Sequence, residues 1–186
     1  MQAAETIRNG ISVTQLEDTI DAIKADPAKG QTRFAVTTTW KGGAASETRV
    51  DGWELAGEWK PKDFTIRIDE PEELLGANTA ANPQEYLMAA MNACIMATYV
   101  ANAAARGIEI ESLKIETEGN IDLRGFLAID RNVPPGYNEV RFTVRFKAKS
   151  GDEKDIRKVH DAVIATSPNF YNMANAISLK PTLVLE

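Results

Sequence analysis

This chain is poor in the residues that build metal centres and disulfides. Its 186 residues include one cysteine, Cys94, and one histidine, His160. A single cysteine cannot form a disulfide within the chain, and zinc sites are built from several cysteine and histidine ligands. No cluster of acidic residues has the spacing of a metal-binding loop. We therefore expect no metal site and no bound cofactor.

The chain also lacks the basic surface of a nucleic-acid-binding protein. It carries 21 Lys and Arg against 27 Asp and Glu, a formal net charge of -6 at pH 7, and the basic residues are scattered. Because binding to phosphates requires a basic surface, we expect no nucleic-acid partner. The first ten residues show no basic stretch followed by an apolar one, so no secretory signal is expected. The expected location is the cytoplasm, a reducing compartment.

One long apolar run needs to be distinguished from a membrane span. Residues 87–105 contain no charged side chain over 19 positions, close to the length that crosses a bilayer. The run is rich in alanine, includes Asn92 and Asn102, and has no flanking cluster of Lys or Arg to orient it. We therefore expect a helix buried inside a soluble protein, and no membrane partner.

Periodicity predicts an α+β fold with antiparallel strands and inserted helices. Helices are predicted over residues 12–25, 83–106 and 152–168. Strands are predicted over residues 32–40, 46–53 and 63–69 as a meander, then within 108–122, over 139–149, and over 179–186. The central helix is apolar nearly all round, so one small sheet cannot cover it. A second sheet or a second copy of the chain is expected to cover the rest.

Several motifs in order resemble the OsmC/Ohr family of thiol-dependent hydroperoxide-reducing proteins. After the meander come the loop "GANTAANP", a helix with Cys94 eleven residues after Pro83, and the helix end "AAARGIEIESL". The stretch "EGNIDLRGFLAID" and a late helix ending in Ser167-Pro168 follow. The resemblance covers residues 32–186, which we predict to be one OsmC-like domain, and leaves residues 1–31 as an N-terminal helical extension.

The resemblance implies an OsmC-like fold, in which a long buried central helix joins antiparallel sheets in an intertwined homodimer. At the dimer interface the thiol of the central helix attacks the hydroperoxide. An arginine from the meander stabilises the thiolate, and a glutamate at the start of the helix holds that arginine. A second cysteine, just before a proline, then forms a disulfide that a dithiol reductant opens.

The family positions carry over to this chain only in part. Cys94 matches the attacking thiol, and Arg49 on the second meander strand is the candidate arginine. The glutamate position holds Gln84, but its acidic neighbour Glu85 could serve instead and is the catalytic candidate at the helix start. The position of the second cysteine holds Ser167, which cannot form a disulfide. The resemblance therefore implies hydroperoxide reduction by one cysteine with an external thiol as reductant, with Gln84 and Ser167 as substrate-binding candidates.

Chemistry sets one further condition on Cys94. The attacking species is the thiolate, whereas an isolated cysteine, with a pKa of about 8.5, is mostly protonated at neutral pH. Cys94 lies about three turns into its helix, where the helix dipole gives little help. A cation has to reach it by tertiary contact, and without one Cys94 is a small buried hydrophobe.

Aromatic and methionine side chains at helical spacing suggest an apolar wall near this position. Tyr86 and Met91 are the candidates for substrate contact, although such residues are more often plain core. An alternative is a non-catalytic OsmC-like dimer that binds a small apolar ligand at its interface, because Gln84 and Ser167 replace reactive groups by neutral ones. A purely structural dimer is a third reading. His160 lies at the edge of an apolar stripe, where a structural role is favoured over a catalytic one.

Overall fold

The structure is a computed structural model that describes residues 5–186. It divides into two compact units, one ending at Ala89 and the other beginning at Ala90. Both contain antiparallel strand pairs, and one long helix is shared between them. This arrangement confirms the predicted α+β class. The domain division at residues 31 and 32 stays a prediction.

A small hairpin that was not predicted opens the first unit. Strand β1 (Ile7–Arg8) pairs antiparallel with β2 (Ile11–Ser12). The connection is Asn9-Gly10, with φ values of 51° and 79°. Two consecutive positive φ angles belong to a tight hairpin turn whose favoured sequence is Asn-Gly. The signal was therefore in the sequence, although the strands are too short to show alternation.

The predicted N-terminal helix is confirmed as α1 (Val13–Ala25). Its cap is Ser12, whose Oγ accepts a hydrogen bond from the backbone N–H of Gln15 at 3.1 Å. This bond satisfies one of the N–H groups that have no partner within the helix. A turn of 3-10 helix over Pro27–Gly30 follows.

The predicted meander is present as a four-stranded antiparallel sheet. Its central strand pairs along one edge with the last strand and along the other with the first two. In chain order the strands are β3 (Thr32–Phe34), β4 (Thr37–Gly42), β5 (Ala45–Leu55) and β6 (Glu58–Ile68). The first predicted strand is thus interrupted at residues 35–36, and the third begins five residues earlier than predicted.

A buried aspartate organises the loop that leads into the long helix. Asp69 is 1% exposed, and its carboxylate accepts hydrogen bonds from the backbone N–H groups of Glu70, Ala77 and Thr79. The hydroxyl of Thr79 donates a fourth bond at 2.7 Å, and it is the largest cause of the lowered pKa of Asp69. One carboxylate therefore fixes both ends of the loop over residues 69–79.

The central helix is confirmed as α2 (Pro83–Ala105), which continues from the first unit into the second. It is long and apolar enough to cross a bilayer by length and composition, and 28% of its apolar window is buried. The next elements are the antiparallel pair β7 (Ile110–Gly119) and β8 (Val140–Ala148), with the short helix α3 (Leu123–Phe126) between them.

The end of the chain differs from the sequence prediction. Helix α4 (Glu153–Thr166) is confirmed, but Ser167 is followed at once by a further helix, α5 (Pro168–Ala174), that was not predicted. Residues 175–186 belong to no helix or strand, so the strand predicted over residues 179–186 is wrong as a prediction for this chain by itself. An alternating sequence forms a strand only where a neighbouring strand completes its hydrogen bonds.

The core of the second unit lies where α2 and α4 pack on the inner faces of β7 and β8. Fully buried apolar residues in α2 recur at every fourth position, which places them in one stripe. The buried members of this core are Met91, Ile95, Tyr99, Ala103, Ile108, Val159 and Val163. Burial of each large side chain stabilises the fold by about 1.5–3 kcal/mol.

Candidate functional site

Cys94 and Ser167 lie in contact in the second unit. Ser167 Oγ donates a hydrogen bond to Cys94 Sγ at 3.7 Å, although the residues are 73 positions apart in the chain. Ser167 is 1% exposed, whereas Cys94 is a free cysteine of intermediate burial. Sulfur is a weak acceptor, so this hydrogen bond helps to orient the thiol but leaves it able to react. Two predicted site residues are therefore brought together.

The position of Ser167 between two helices explains why its hydroxyl is available. Its backbone N–H closes α4 by donating to the carbonyl of Val163 at 2.9 Å, and Pro168 begins α5. A serine at such a helix start normally accepts a bond from an N–H of the first turn. Here the side chain makes no capping bond. The hydroxyl is directed at the sulfur instead.

Two further contacts fix α5 against its neighbours and so hold Ser167 in place. Asn169 Nδ2 donates to the carbonyl oxygen of Ala90, one helical turn before Cys94, at 3.0 Å. The ring of Phe170 packs edge-on against Phe142 of β8, with 6.0 Å between the ring centroids. The alignment of hydroxyl and sulfur is therefore set by packing and not by the one weak bond between them.

Polar residues near Cys94 in α2 are used by the fold. The hydroxyl of Thr98 donates to the carbonyl of Cys94 at 2.8 Å, a bond within the helix. Asn92 Oδ1 accepts a hydrogen bond from the hydroxyl of Thr117 in β7 at 2.7 Å. This bond explains why an amide is tolerated in the apolar run, since buried polar groups need partners.

Glu85 forms a capping box at the start of α2. Its backbone N–H donates to Asn82 Oδ1 at 2.9 Å, and its carboxylate accepts from the Asn82 N–H at 2.8 Å. Such reciprocal bonds satisfy two backbone donors at a helix start. Gln84 is exposed beside it. The structure thus gives Glu85 a structural task, while a catalytic role for it stays a prediction.

Arg49 lies on the charged face of the first unit's sheet. Its guanidinium donates to Asp63 Oδ1 at 2.7 Å and to the hydroxyl of Thr65 at 3.0 Å, and Asp51 lies 3.5 Å away. These contacts orient the guanidinium and offset its charge in part. The side chain is still 45% exposed. It keeps a free surface toward solvent, and its predicted role stays a prediction.

Both candidates for substrate contact make structural contacts within their own units. They are Tyr86 and Met91. The hydroxyl of Tyr86 donates to the carbonyl of Arg67 at 2.7 Å within the first unit. Met91 is 3% exposed and belongs to the core of the second unit. A role in substrate binding remains a prediction for both.

A buried tyrosine paired with the histidine was not predicted. Tyr99 is 1% exposed, and its hydroxyl forms a short hydrogen bond with Nδ1 of His160. Burial raises the pKa of Tyr99 to about 12, because ionisation would place a charge in apolar surroundings. Spacing along α2 marks Tyr99 as core, but nothing in the sequence identifies its partner on α4. This contact favours the structural reading of His160.

Within residues 5–186, no three His, Cys, Asp or Glu side chains come together to hold a metal ion. At Cys94 and Ser167 the structure places a thiol beside a hydroxyl donor. A thiolate at this position could attack an electrophile, and the hydroxyl could donate to the negative charge on sulfur.

Solved structures share this fold at low sequence identity. The OsmC-like protein of Mycoplasma pneumoniae matches with a TM-score of 0.60 and 17% identity, over 76% of this chain and 87% of that one. An OsmC-like protein of Vibrio cholerae gives 0.53 and 17%, over 74% and 91% of the respective chains. At such identities the similarity concerns the fold alone. No significant match was found among curated protein sequences.

A family model places the chain more directly. The model described as OsmC-like protein matches residues 76–182, more than half of the chain, and that range includes both Cys94 and Ser167. In this family the long apolar helix is the core helix of a soluble fold, which accounts for the membrane-like length of α2. The chain is therefore a member of the OsmC-like family, as its motifs indicated.

Proposed function

We propose that this protein reduces organic hydroperoxides, with Cys94 as the attacking thiol and an external thiol as the reductant. The observation that carries the proposal is the contact between the buried Ser167 hydroxyl and the Cys94 sulfur in an OsmC-like fold. A hydroxyl that caps no helix and points at a partly exposed sulfur is suited to stabilising negative charge there.

The reaction proceeds in steps that balance. The Cys94 thiolate attacks the distal oxygen of the hydroperoxide, the O–O bond breaks, and the alkoxide leaves as the alcohol after taking up a proton. Sulfur is oxidised to a sulfenic acid. One molecule of external thiol then forms a mixed disulfide with Cys94 and releases water. A second molecule of thiol regenerates Cys94 and leaves as the oxidised disulfide.

Ser167 separates this cycle from one that uses two cysteines of the same chain. A serine oxygen cannot displace the sulfenic oxygen to give a disulfide, so the oxidised sulfur waits for an external thiol. A cytoplasm rich in small thiols supplies such a reductant, which is consistent with the cytoplasmic location expected from the sequence.

A homodimer with a cation near the thiol completes the proposal. Helix α2 buries one stripe in its own core, while Ala93 and Ala97 remain exposed. A second copy of the chain would cover this surface. Arg49 is the proposed cation because it is always charged, already oriented by Asp63, and half-exposed.

Trapping of the sulfenic acid tests the proposal. We expect the protein treated with cumene hydroperoxide to take up one equivalent of a dimedone-type reagent at Cys94, as read by mass spectrometry. Cys94→Ser should take up none. The recovery of free thiol after addition of a small thiol, with release of one equivalent of disulfide, would establish the second half of the cycle.

The same experiment separates the enzyme from the alternative reading. A non-catalytic dimer that binds an apolar ligand would show no sulfenic acid at millimolar peroxide. Native mass spectrometry of that protein as purified would show a bound small molecule. If no sulfenic acid is labelled and a small molecule stays bound, the protein is a binding protein and not a hydroperoxide reductase.

A further inference from the structure

The face of α2 that carries Cys94 also carries polar side chains, although the helix is otherwise apolar. Residues four apart in a helix lie on one face, and Cys94 is followed at that spacing by Thr98, Asn102 and Arg106. We call these four residues the Cys94 row. Thr98 and Asn102 are partly exposed and Arg106 is exposed, whereas Tyr99 on the neighbouring stripe is buried. A polar path therefore leads along α2 from the thiol to the surface.

Hydrogen bonds link each member of the row to the one before it. Thr98 Oγ1 donates to the carbonyl of Cys94 at 2.8 Å, and Asn102 Nδ2 donates to the carbonyl of Thr98 at 3.0 Å. The guanidinium of Arg106 folds back by one turn and donates to Asn102 Oδ1 at 2.8 Å and to the Asn102 carbonyl at 3.3 Å. The cation is therefore held at the level of Asn102, which lies about 12 Å from Cys94 along the axis at a rise of 1.5 Å per residue.

The charge of Arg106 is not matched by a carboxylate. Within residues 5–186 its guanidinium forms no ion pair, and the hydrogen bonds that hold it come from acceptors of the neutral Asn102. The pKa of Asp155 is lowered chiefly by its hydrogen bond with Lys158, at 2.6 Å, and Arg106 is the smallest of the causes. A guanidinium that keeps N–H donors free of anions is suited to binding the carboxylate of a ligand.

We infer that the Cys94 row binds the external thiol reductant, and that this reductant is a small thiol with a carboxylate remote from its sulfur. The carboxylate binds Arg106, the polar part of the molecule lies along Asn102 and Thr98, and the thiol reaches Cys94. Its sulfur attacks the sulfenic sulfur, so that an S–S bond forms and the S–O bond breaks. The OH group leaves as water by taking up the proton of the thiol.

The net charge of the protein makes this preference specific to the row. With a formal net charge of -6, the protein as a whole repels anions. An anionic thiol that reacts faster than a neutral thiol of the same length must therefore be attracted by a local cation. The inference rests on the proposed function for the reaction that the thiol completes, but the binding of an anionic thiol can be measured without peroxide.

Thiol exchange at a blocked Cys94 makes that measurement. Methyl methanethiosulfonate converts the single cysteine into a neutral methyl disulfide, and mass spectrometry follows the loss of the methylthio group to an added thiol. The probes are 8-mercaptooctanoate and 8-mercaptooctanol, which have the same length and similar thiol reactivity because the carboxylate is remote from the sulfur. We expect the acid to react at least about threefold faster, the size of one exposed ion pair.

The matched variants locate the cation. Arg106→Gln should abolish the difference between acid and alcohol. Arg131→Gln removes the same charge from another exposed arginine of the second unit, outside the row, and should retain the difference. Both positions are at the surface, so the variants are expected to fold.

The outcomes separate this inference from the proposed function. A faster acid in the wild type and in Arg131→Gln, but not in Arg106→Gln, supports the site. Equal rates or a slower acid in the wild type, a difference that survives Arg106→Gln or is lost in Arg131→Gln, or failure of the reagent to reach Cys94 overturns it. If the preference is found and peroxide yields no sulfenic acid, the proposed function fails alone. A hydroperoxide reductase that shows no preference would overturn only the inference.

Discussion

Two polar sites in this molecule, one in each unit, are built in opposite ways. In the first unit the carboxylate of Asp69 accepts four hydrogen bonds from three residues, and every one of them holds a loop. In the second unit the sulfur of Cys94 receives a single weak bond from Ser167. A saturated group stabilises the fold and has no capacity left for chemistry. A sulfur that receives one weak bond keeps that capacity, so the candidate site is assigned to Cys94.

The largest effect is expected when the Ser167 hydroxyl is replaced by a thiol. We expect Ser167→Cys to form a disulfide with Cys94 on treatment with one equivalent of hydroperoxide. The side chains already touch at 3.7 Å, and a small rotation brings two sulfurs to bonding distance. Mass spectrometry of the digest should show the linked peptides. As a control, Thr166→Cys, one position earlier at the exposed end of α4, should give no such link.

Removal of the proposed cation should slow the chemistry. Arg49→Ala is expected to lower the rate of sulfenic acid formation at Cys94 by at least about tenfold, since a nearby guanidinium stabilises the thiolate. The matched control is Arg33→Ala, which breaks an exposed ion pair with Glu54 in the same sheet. Equal rates of sulfenic acid formation in the two variants would show that Arg49 does not act on Cys94.

The hydrogen-bonded carboxylate of Asp69 should make the stability of the protein depend on pH in the acid range. The pKa of Asp69 is lowered in the folded protein from an ordinary value of 3.8, chiefly by the Thr79 hydroxyl. Its contribution to stability is therefore complete above that value and is lost as the pH falls through the lower folded value. Thermal unfolding from pH 7 to pH 2 should show a steeper loss for the wild type than for Asp69→Asn. Parallel curves would contradict this.

The smallest expected effect is at the helix start. Glu85→Ala should cost about 0.5–1 kcal/mol in the free energy of unfolding, because it removes one half of the capping box. Glu85→Gln, which keeps an acceptor oxygen, should cost less. Urea denaturation measures both. A fall in the rate of Cys94 oxidation larger than the fall in stability would restore a catalytic role for Glu85.

Much of the fold could be predicted from local sequence, because local signals determine it. Asn82 and Pro83 mark the start of α2, and alternation of β-branched residues marks the meander. The sequence does not predict α5, because Pro168 after Ser167 indicates the end of a helix, whereas proline also favours the first position of a helix. The strand over residues 179–186 was wrong for the isolated chain because no neighbour pairs with it.

The candidate site was only partly predictable. Cys94 and Ser167 were identified through the family motifs, since no periodicity relates residues on two different helices. The direction of the Ser167 hydroxyl depends on how α5 is anchored to the Ala90 carbonyl, a contact between distant parts of the sequence. The bond between Tyr99 and His160 is of the same kind. Contacts of this type follow from packing and cannot be derived from spacing.

The rate at which Cys94 reacts with cumene hydroperoxide at neutral pH tests the central claim most directly. The account predicts a second-order rate at least about tenfold above that of free cysteine, because the Ser167 hydroxyl and the proposed cation would stabilise the charge on sulfur. It also predicts a slower rate in Ser167→Ala than in the wild type. A wild-type rate equal to that of free cysteine, unchanged in Ser167→Ala, would contradict the account.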